Sequence, residues 1–143
     1  MRFNFSSVEG IFAINLGSTS TKVAYAEDGE MRFKDAIRHP AEETAGLASV
    51  LDQKDYRLAH VVRYMEERGI EPGSLDAFVS RGGCTEAMNG GVYRVDLPYV
   101  DECLSGAWGV HACSLGPAIA FELTRGAEAL PLVADTPATD EMG

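Results

Sequence analysis

No stretch of this sequence carries the roughly 20 consecutive apolar residues that a bilayer-spanning helix needs. Its first residues, MRFNFSSVEG, lack the charged-then-apolar order of a secretory leader. A membrane role is therefore not expected. Basic residues are scarce as well: 12 Lys and Arg stand against 22 Asp and Glu, a formal net charge of −10, and the 12 form no cluster. Nucleic acid is excluded as a partner on that ground, because a polyanion backbone is met by a basic patch or stripe. The same negative field repels nucleotides and carboxylates, so any anion site has to be built locally from backbone N–H groups and a few well-placed cations. Cysteine is sparse too. Cys84, Cys103 and Cys113 are odd in number and lack metal-type spacing, which points to reduced thiols in a cytoplasmic protein rather than a disulfide scaffold.

What remains is ordinary globular material. With 143 residues, 45% hydrophobic and 24% charged, the chain is sized for one domain, 1–143, with a real core. The run 10–15 is apolar, β-branched and stopped by Gly17, as a buried strand would be. Strand character resumes over 22–26, and Asp28-Gly29 is a two-residue hairpin signal leading into a third strand over 31–38. A helix is predicted from Asp52 as N-cap, with Leu58, Ala59, Val62 and Met65 on its apolar face and Gly69 as its stop. Short strands follow over 75–79 and 92–95, then a helix over 113–125 with Pro117 in its first turn, and a last buried strand over 130–134. Three meandering strands followed by helix, strand, helix and strand make an α/β domain of the ribonuclease-H-like type, in which helical crossovers extend the meander by parallel pairing.

Four segments are candidates for chemistry. Asn15-Leu16-Gly17-Ser18-Thr19-Ser20-Thr21-Lys22 gathers backbone N–H groups, hydroxyls and one cation in a turn, the set that phosphate needs. It is not a Walker A loop, since the Gly-x-x-x-x-Gly-Lys order is missing and a strand follows. A polar hairpin whose hydroxyls satisfy their own backbone has the same composition. Arg81 follows a strand and precedes two glycines that allow another group close to the backbone; its planar guanidinium suits a carboxylate or phosphate, or a plain surface position. His111 stands before a helix start, where it either donates to an anion or caps. Asp135 ends a predicted strand, a common place for a functional carboxylate and also for a turn before Thr-Pro. Cys84 has no base paired to it in sequence, which speaks against a nucleophile.

Read in order, the first segment, Ile37-Arg38-His39, Asp52-Gln53, Ser80-Arg81-Gly82-Gly83, Gly90-Gly91-Val92-Tyr93, His111-Ala112-Cys113-Ser114-Leu115-Gly116, and Asp135-Thr136 with Asp140-Glu141 resemble the butyrate kinase branch of the acetate/butyrate kinase family. That family sits within the actin-like group of ATPases. The resemblance covers nearly the whole chain but only the family's N-terminal lobe. It implies ATP-dependent phosphorylation of a short-chain carboxylate, or the reverse, with Mg²⁺. It places Asn15 by magnesium and phosphates, and Gly17, Ser18, Thr19, Ser20 and Lys22 on phosphate. Arg81 falls on the substrate carboxylate, Asp135 at the catalytic centre as a metal ligand, and His111 lines the cleft. Leu16 stands where that branch usually has proline, and Cys113-Ser114 where it has Ser-Asn. A family member of this kind completes its cleft with a second lobe, so the expectation for 1–143 is a lobe without activity of its own. The alternative is a non-catalytic module that binds phosphate or forms homo-oligomers.

Overall fold

The computed structural model describes residues 10–85 and 91–134. Its frame is one six-stranded sheet in the order β3-β2-β1-β4-β6-β5. β1 (Gly10–Leu16), β2 (Ser20–Glu27) and β3 (Glu30–Arg38) form the antiparallel meander, and the β2–β3 turn puts Asp28 at φ 52° and Gly29 at φ 79°, the paired positive dihedrals of a tight hairpin. β4 (Ala77–Arg81) runs parallel to β1, and β6 (Leu130–Ala134) parallel to β4. This is the ribonuclease-H-like arrangement the sequence predicts. One strand departs from it: β5 (Val92–Arg94) lies antiparallel on the outer edge of β6 instead of extending the sheet in parallel.

Alternation along the strands fixes two unlike faces. Phe12, Ile14 and Leu16 point to one side with Thr21, Val23, Phe78 and Val133, all buried. Against them pack α2 (Lys54–Glu67) and α4 (Leu115–Thr124), with α3 (Leu97–Ser105) beside α4 over the β6 end. Phe12 stacks on Phe78 with ring centroids 5.3 Å apart, a pair worth about 1 kcal/mol beyond the area it buries.

The helices correct three expectations. Asp52 is not the N-cap: a 3-10 turn at Val50–Gln53 precedes α2, capped by Ser49, whose Oγ accepts from Leu51 N–H while Asp52 accepts from Ser49 N–H at 3.1 Å in a capping box, and α2 itself starts from Gln53 without a side-chain cap. The buried face of α2 is Arg57, Val61, Tyr64 and Met65, with Ala59 exposed and Val62 half-buried, so the stripe is rotated from the predicted one. The later helix begins as a 3-10 turn at Ala112–Ser114, and its α-helical part ends at Thr124. Two helices have no counterpart in the sequence reading, α3 and the short α1 (Ala41–Thr44). Asp135 lies outside the described residues. None of the described helices is long and apolar enough to cross a membrane.

Candidate anion site on the sheet face away from the helices

Residues of odd parity on β1 and β4 point away from α2 and α4, and there the register brings three of the predicted residues, Asn15, Lys22 and Arg81, into one line. Asn15 pairs with Lys22, and Lys22 with Ala36. Ile14 pairs with Ser80, so Asn15 and Arg81 are the next residues of two parallel neighbours; Arg81 in turn pairs with Ala134. The transverse row is therefore Ala36, Lys22, Asn15, Arg81, Ala134. With strands about 4.8 Å apart, the backbones of Lys22 and Arg81 flank Asn15 at about 10 Å from each other. Asn15, Lys22 and Arg81 are all exposed. Two shallow depressions meet at Asn15, one of about 470 Å³ toward Lys22, Ala24 and Lys34, the other of about 360 Å³ toward Val79, Arg81 and Ala134.

The charge on this face runs against that of the chain. Lys22, Lys34, Arg38, Arg81 and Arg94 all fall on it by strand register, and no described strand residue on it is a carboxylate. Among the described residues, no ion pair takes up Lys22, Lys34, Arg38 or Arg94. The described strand residues therefore give this face a local positive charge, despite the formal net charge of −10.

The turn beside the row is held from behind. Gly17 N–H donates to Ser20 O at 2.8 Å, and Ser18 and Thr19 are exposed at the tip. Arg57, 0% exposed, donates from Nη1 to Gly17 O at 2.8 Å and Ser20 O at 3.1 Å, and from Nη2 to Ser18 O at 3.1 Å. His39 N–H donates to Thr19 O at 2.9 Å, and the His39 ring meets Thr21 Oγ1 at 2.8 Å through Nε2. Burial, with the Arg57 charge second, lowers the His39 pKa to about 4. Sequence reading missed Arg57 as a functional residue, since a charge on a helix looks like a solvated face. The one local signal was Gln53, four residues earlier, whose Oε1 accepts from Arg57 Nε at 3.0 Å.

His111 takes the capping alternative: its Nδ1 accepts from Cys113 N–H at 3.0 Å, which leaves the proton of the neutral ring on Nε2. Its segment is tied to the loop after Arg81 through Cys84 N–H donating to Ser114 Oγ at 3.0 Å, but the ring is not one of the row. The group that approaches Gly83 is the protein itself, not a ligand, for Cys103 Sγ and Ser114 Cα crowd the place of its missing side chain. Burial above all raises the Cys113 thiol to about 11 and the Cys103 thiol to about 12, which keeps both protonated and inert near neutrality.

The six-stranded sheet, with its antiparallel meander extended by parallel strands through helical crossovers, defines the class as a ribonuclease-H-like lobe of the actin-like kind. The chain is homologous to proteins named probable butyrate kinase. It is 36% identical over 132 residues to that of Maridesulfovibrio salexigens, covering 92% of this chain and 36% of the relative. It is 34% identical over 132 residues to that of Coprothermobacter proteolyticus, covering 92% and 37%. The resemblance carried by the ordered motifs is thus borne out, and the chain spans little more than a third of the length of these relatives. No protein-family model matches it. Among solved structures it is similar to the Aquifex aeolicus PPX-GPPA enzyme at 10% identity and a TM-score of 0.48, over 89% of this chain and 53% of that one.

Proposed function

We propose that this chain is the phosphate- and carboxylate-binding lobe of a carboxylate kinase that moves a phosphoryl group between ATP and a short-chain fatty acid such as butyrate. The observation that carries this reading is the row Lys22, Asn15, Arg81, in which two cations flank one amide on neighbouring strands of a single face. Arg81 takes the carboxylate, Lys22 and the hydroxyl turn of Gly17, Ser18, Thr19 and Ser20 take the phosphates, and Asn15 lies between them. A fatty-acid carboxylate, with a pKa near 4, is already ionised at neutral pH. Its oxygen attacks the γ-phosphorus, the bond to the bridging oxygen breaks, and ADP leaves with that electron pair. No general base is needed. The work of the protein is to align two anions and offset their repulsion.

Magnesium, when bound, adds charge neutralisation on the phosphates. Among the described residues no group of three or more His, Cys, Asp or Glu could hold a metal. The fit is to an ion carried mainly by the phosphates and their waters, touching the protein at Asn15 and, on this reading, at Asp135, the residue after Ala134. His111 lines the cleft from its capping position.

The lobe offers one wall of such a cleft, so the chain alone is expected not to turn over. In a mixture of ATP, butyrate, Mg²⁺ and hydroxylamine, acyl hydroxamate should appear when the chain is supplemented with the two thirds of a relative that it does not span. None should appear with either part alone. Arg81→Ala in the supplemented mixture should raise the butyrate KM about 30- to 100-fold, the loss of a charge-assisted fork, while the KM for ATP stays within about threefold. The rival reading is a module that binds phosphate or self-associates without catalysis. Triphosphate binding with no hydroxamate in the supplemented mixture would establish that rival instead.

A further inference from the structure

We infer that Arg57 is the positioning residue of the phosphate turn, a buried cation that holds the carbonyls of Gly17 and Ser18 so that the N–H groups of Ser18 and Thr19 face an incoming anion. The inference rests on the reading of this turn as a phosphate site. Arg57 comes from α2, 36 to 40 residues away along the chain, and its whole fork is engaged: Nε to Gln53 Oε1, Nη1 to Gly17 O, Ser20 O and, at 3.4 Å, Thr21 Oγ1, and Nη2 to Ser18 O. Every partner is a neutral oxygen. Among the described residues no carboxylate pairs with it, which is unusual for a charge fully removed from water.

The geometry of a trans peptide turns this into a statement about the other side of the turn. In each peptide plane the C=O of one residue and the N–H of the next point in opposite directions. With Gly17 O and Ser18 O drawn inward onto the guanidinium, the N–H groups of Ser18 and Thr19 are directed outward. Among the described residues neither of them donates to a backbone acceptor, and both residues are exposed. Two adjacent N–H groups facing the same way make an anion-binding concavity. The uncompensated charge of Arg57 polarises the peptide groups from behind, strengthening those donors in the low-dielectric interior. An anion seated on the turn would complete the charge pairing that the interior lacks.

A role in folding alone predicts a different outcome from a role in positioning. The test uses the whole chain with ATP and inorganic triphosphate as probes, read by calorimetry and by the amide NMR signals of Ser18 and Thr19. Arg57→Lys keeps the charge but replaces a planar fork by a point. Both probes should then bind about tenfold more weakly, with the Ser18 and Thr19 amide signals displaced in the unliganded chain and the remaining spectrum preserved. Val61→Ala, a buried change one turn along the same helix, supplies a matched loss of stability and should leave affinity within about twofold. If Arg57→Lys does not fold, Gln53→Ala decides, since it frees Nε without removing the charge; about threefold weaker binding is expected. Unaltered affinity in a folded Arg57→Lys or in Gln53→Ala, or an equal loss in Val61→Ala, overturns the inference alone. Failure of the unsubstituted chain to bind either probe overturns the phosphate reading first and the role of Arg57 with it.

Discussion

Gly83→Ala is expected to lower the free energy of unfolding by about 2–3 kcal/mol, among the largest effects of any single methyl group in this chain. A Cβ at Gly83 would lie 2.6 Å from Cys103 Sγ, 2.8 Å from Ser114 Cα and 3.1 Å from Cys103 Cβ. None of these can yield cheaply. Cys103 is fully buried, and Ser114 Cα is backbone at the end of a 3-10 turn whose side chain already holds Cys84 N–H. The loop that follows Arg81 must therefore shift, together with the Gly83 N–H bond to Tyr99 Oη at 3.2 Å. Gly83 is not among the described residues with positive φ, so the effect is purely steric and conformational preference adds nothing. Urea unfolding of Gly83→Ala beside Gly73→Ala, where an added Cβ meets nothing within 4 Å, should show a lowered midpoint in the first and little change in the second. Equal midpoints would mean that the loop gives way without cost. Because the displaced loop begins at Arg81, the same variant should also weaken carboxylate binding in the supplemented assay.

The parts of the fold legible in the sequence are those whose signals are local. Asp28-Gly29 reads as a hairpin because the turn itself demands two positive φ angles. β1 and β6 read as strands because apolar runs between turn residues have few other uses in a chain of this size. α3 was missed although Asp96 caps it by accepting from Tyr99 N–H, Pro98 sits in its first turn and Gly106 ends it at φ 74°. Nine residues span too few turns for a 3.6-residue period to stand out, so its caps come without the periodicity that marks a helix. The rotated face of α2 has a different cause. Arg57 occupies a core position on the apolar stripe, and a charge there breaks the pattern that sequence reading looks for.

The site divides the same way. Residue type and neighbourhood pointed to Asn15, Lys22 and Arg81, but that they share one transverse row is a property of register between β2, β1 and β4, which no single segment encodes. His111 carried two readings, and capping is the one the geometry realises. His39 carries no local signal as a site residue and Arg57 only Gln53 four residues before it, because what each does depends on a partner in the turn. His39 lies 18 residues from Thr21 in sequence yet within 2.8 Å of it in space.

His39 should make the stability of the chain depend on pH in a window where carboxylates hardly titrate. The ring is 5% exposed, its Nδ1 has no hydrogen-bond partner, and it sits edge-on to Tyr56 and His60 with Arg57 and Glu43 nearby. A bare acceptor is cheaper to bury than an unpaired N–H, so the neutral form with its proton on Nε2, donating to Thr21 Oγ1, is favoured. Its pKa falls from 6.5 to about 4, burial being the main cause and the Arg57 charge the next. For a lowered histidine the unfolded chain binds the proton first. The contribution is therefore full above about pH 6.5 and is lost as pH falls toward about 4. From pH 7 to pH 5 that is about 2 kcal/mol. Denaturant unfolding at the two pH values should show a drop of this size in the unsubstituted chain. His39→Gln, which can keep a donor to Thr21 without titrating, should cut the drop to less than half. A ring signal that titrates near 6.5 by NMR would refute the assignment. Because His39 N–H holds Thr19 O and its ring holds Thr21, protonation also disturbs both sides of the turn proposed to take phosphate. ATP affinity should then fall over the same window in the unsubstituted chain and more weakly in His39→Gln.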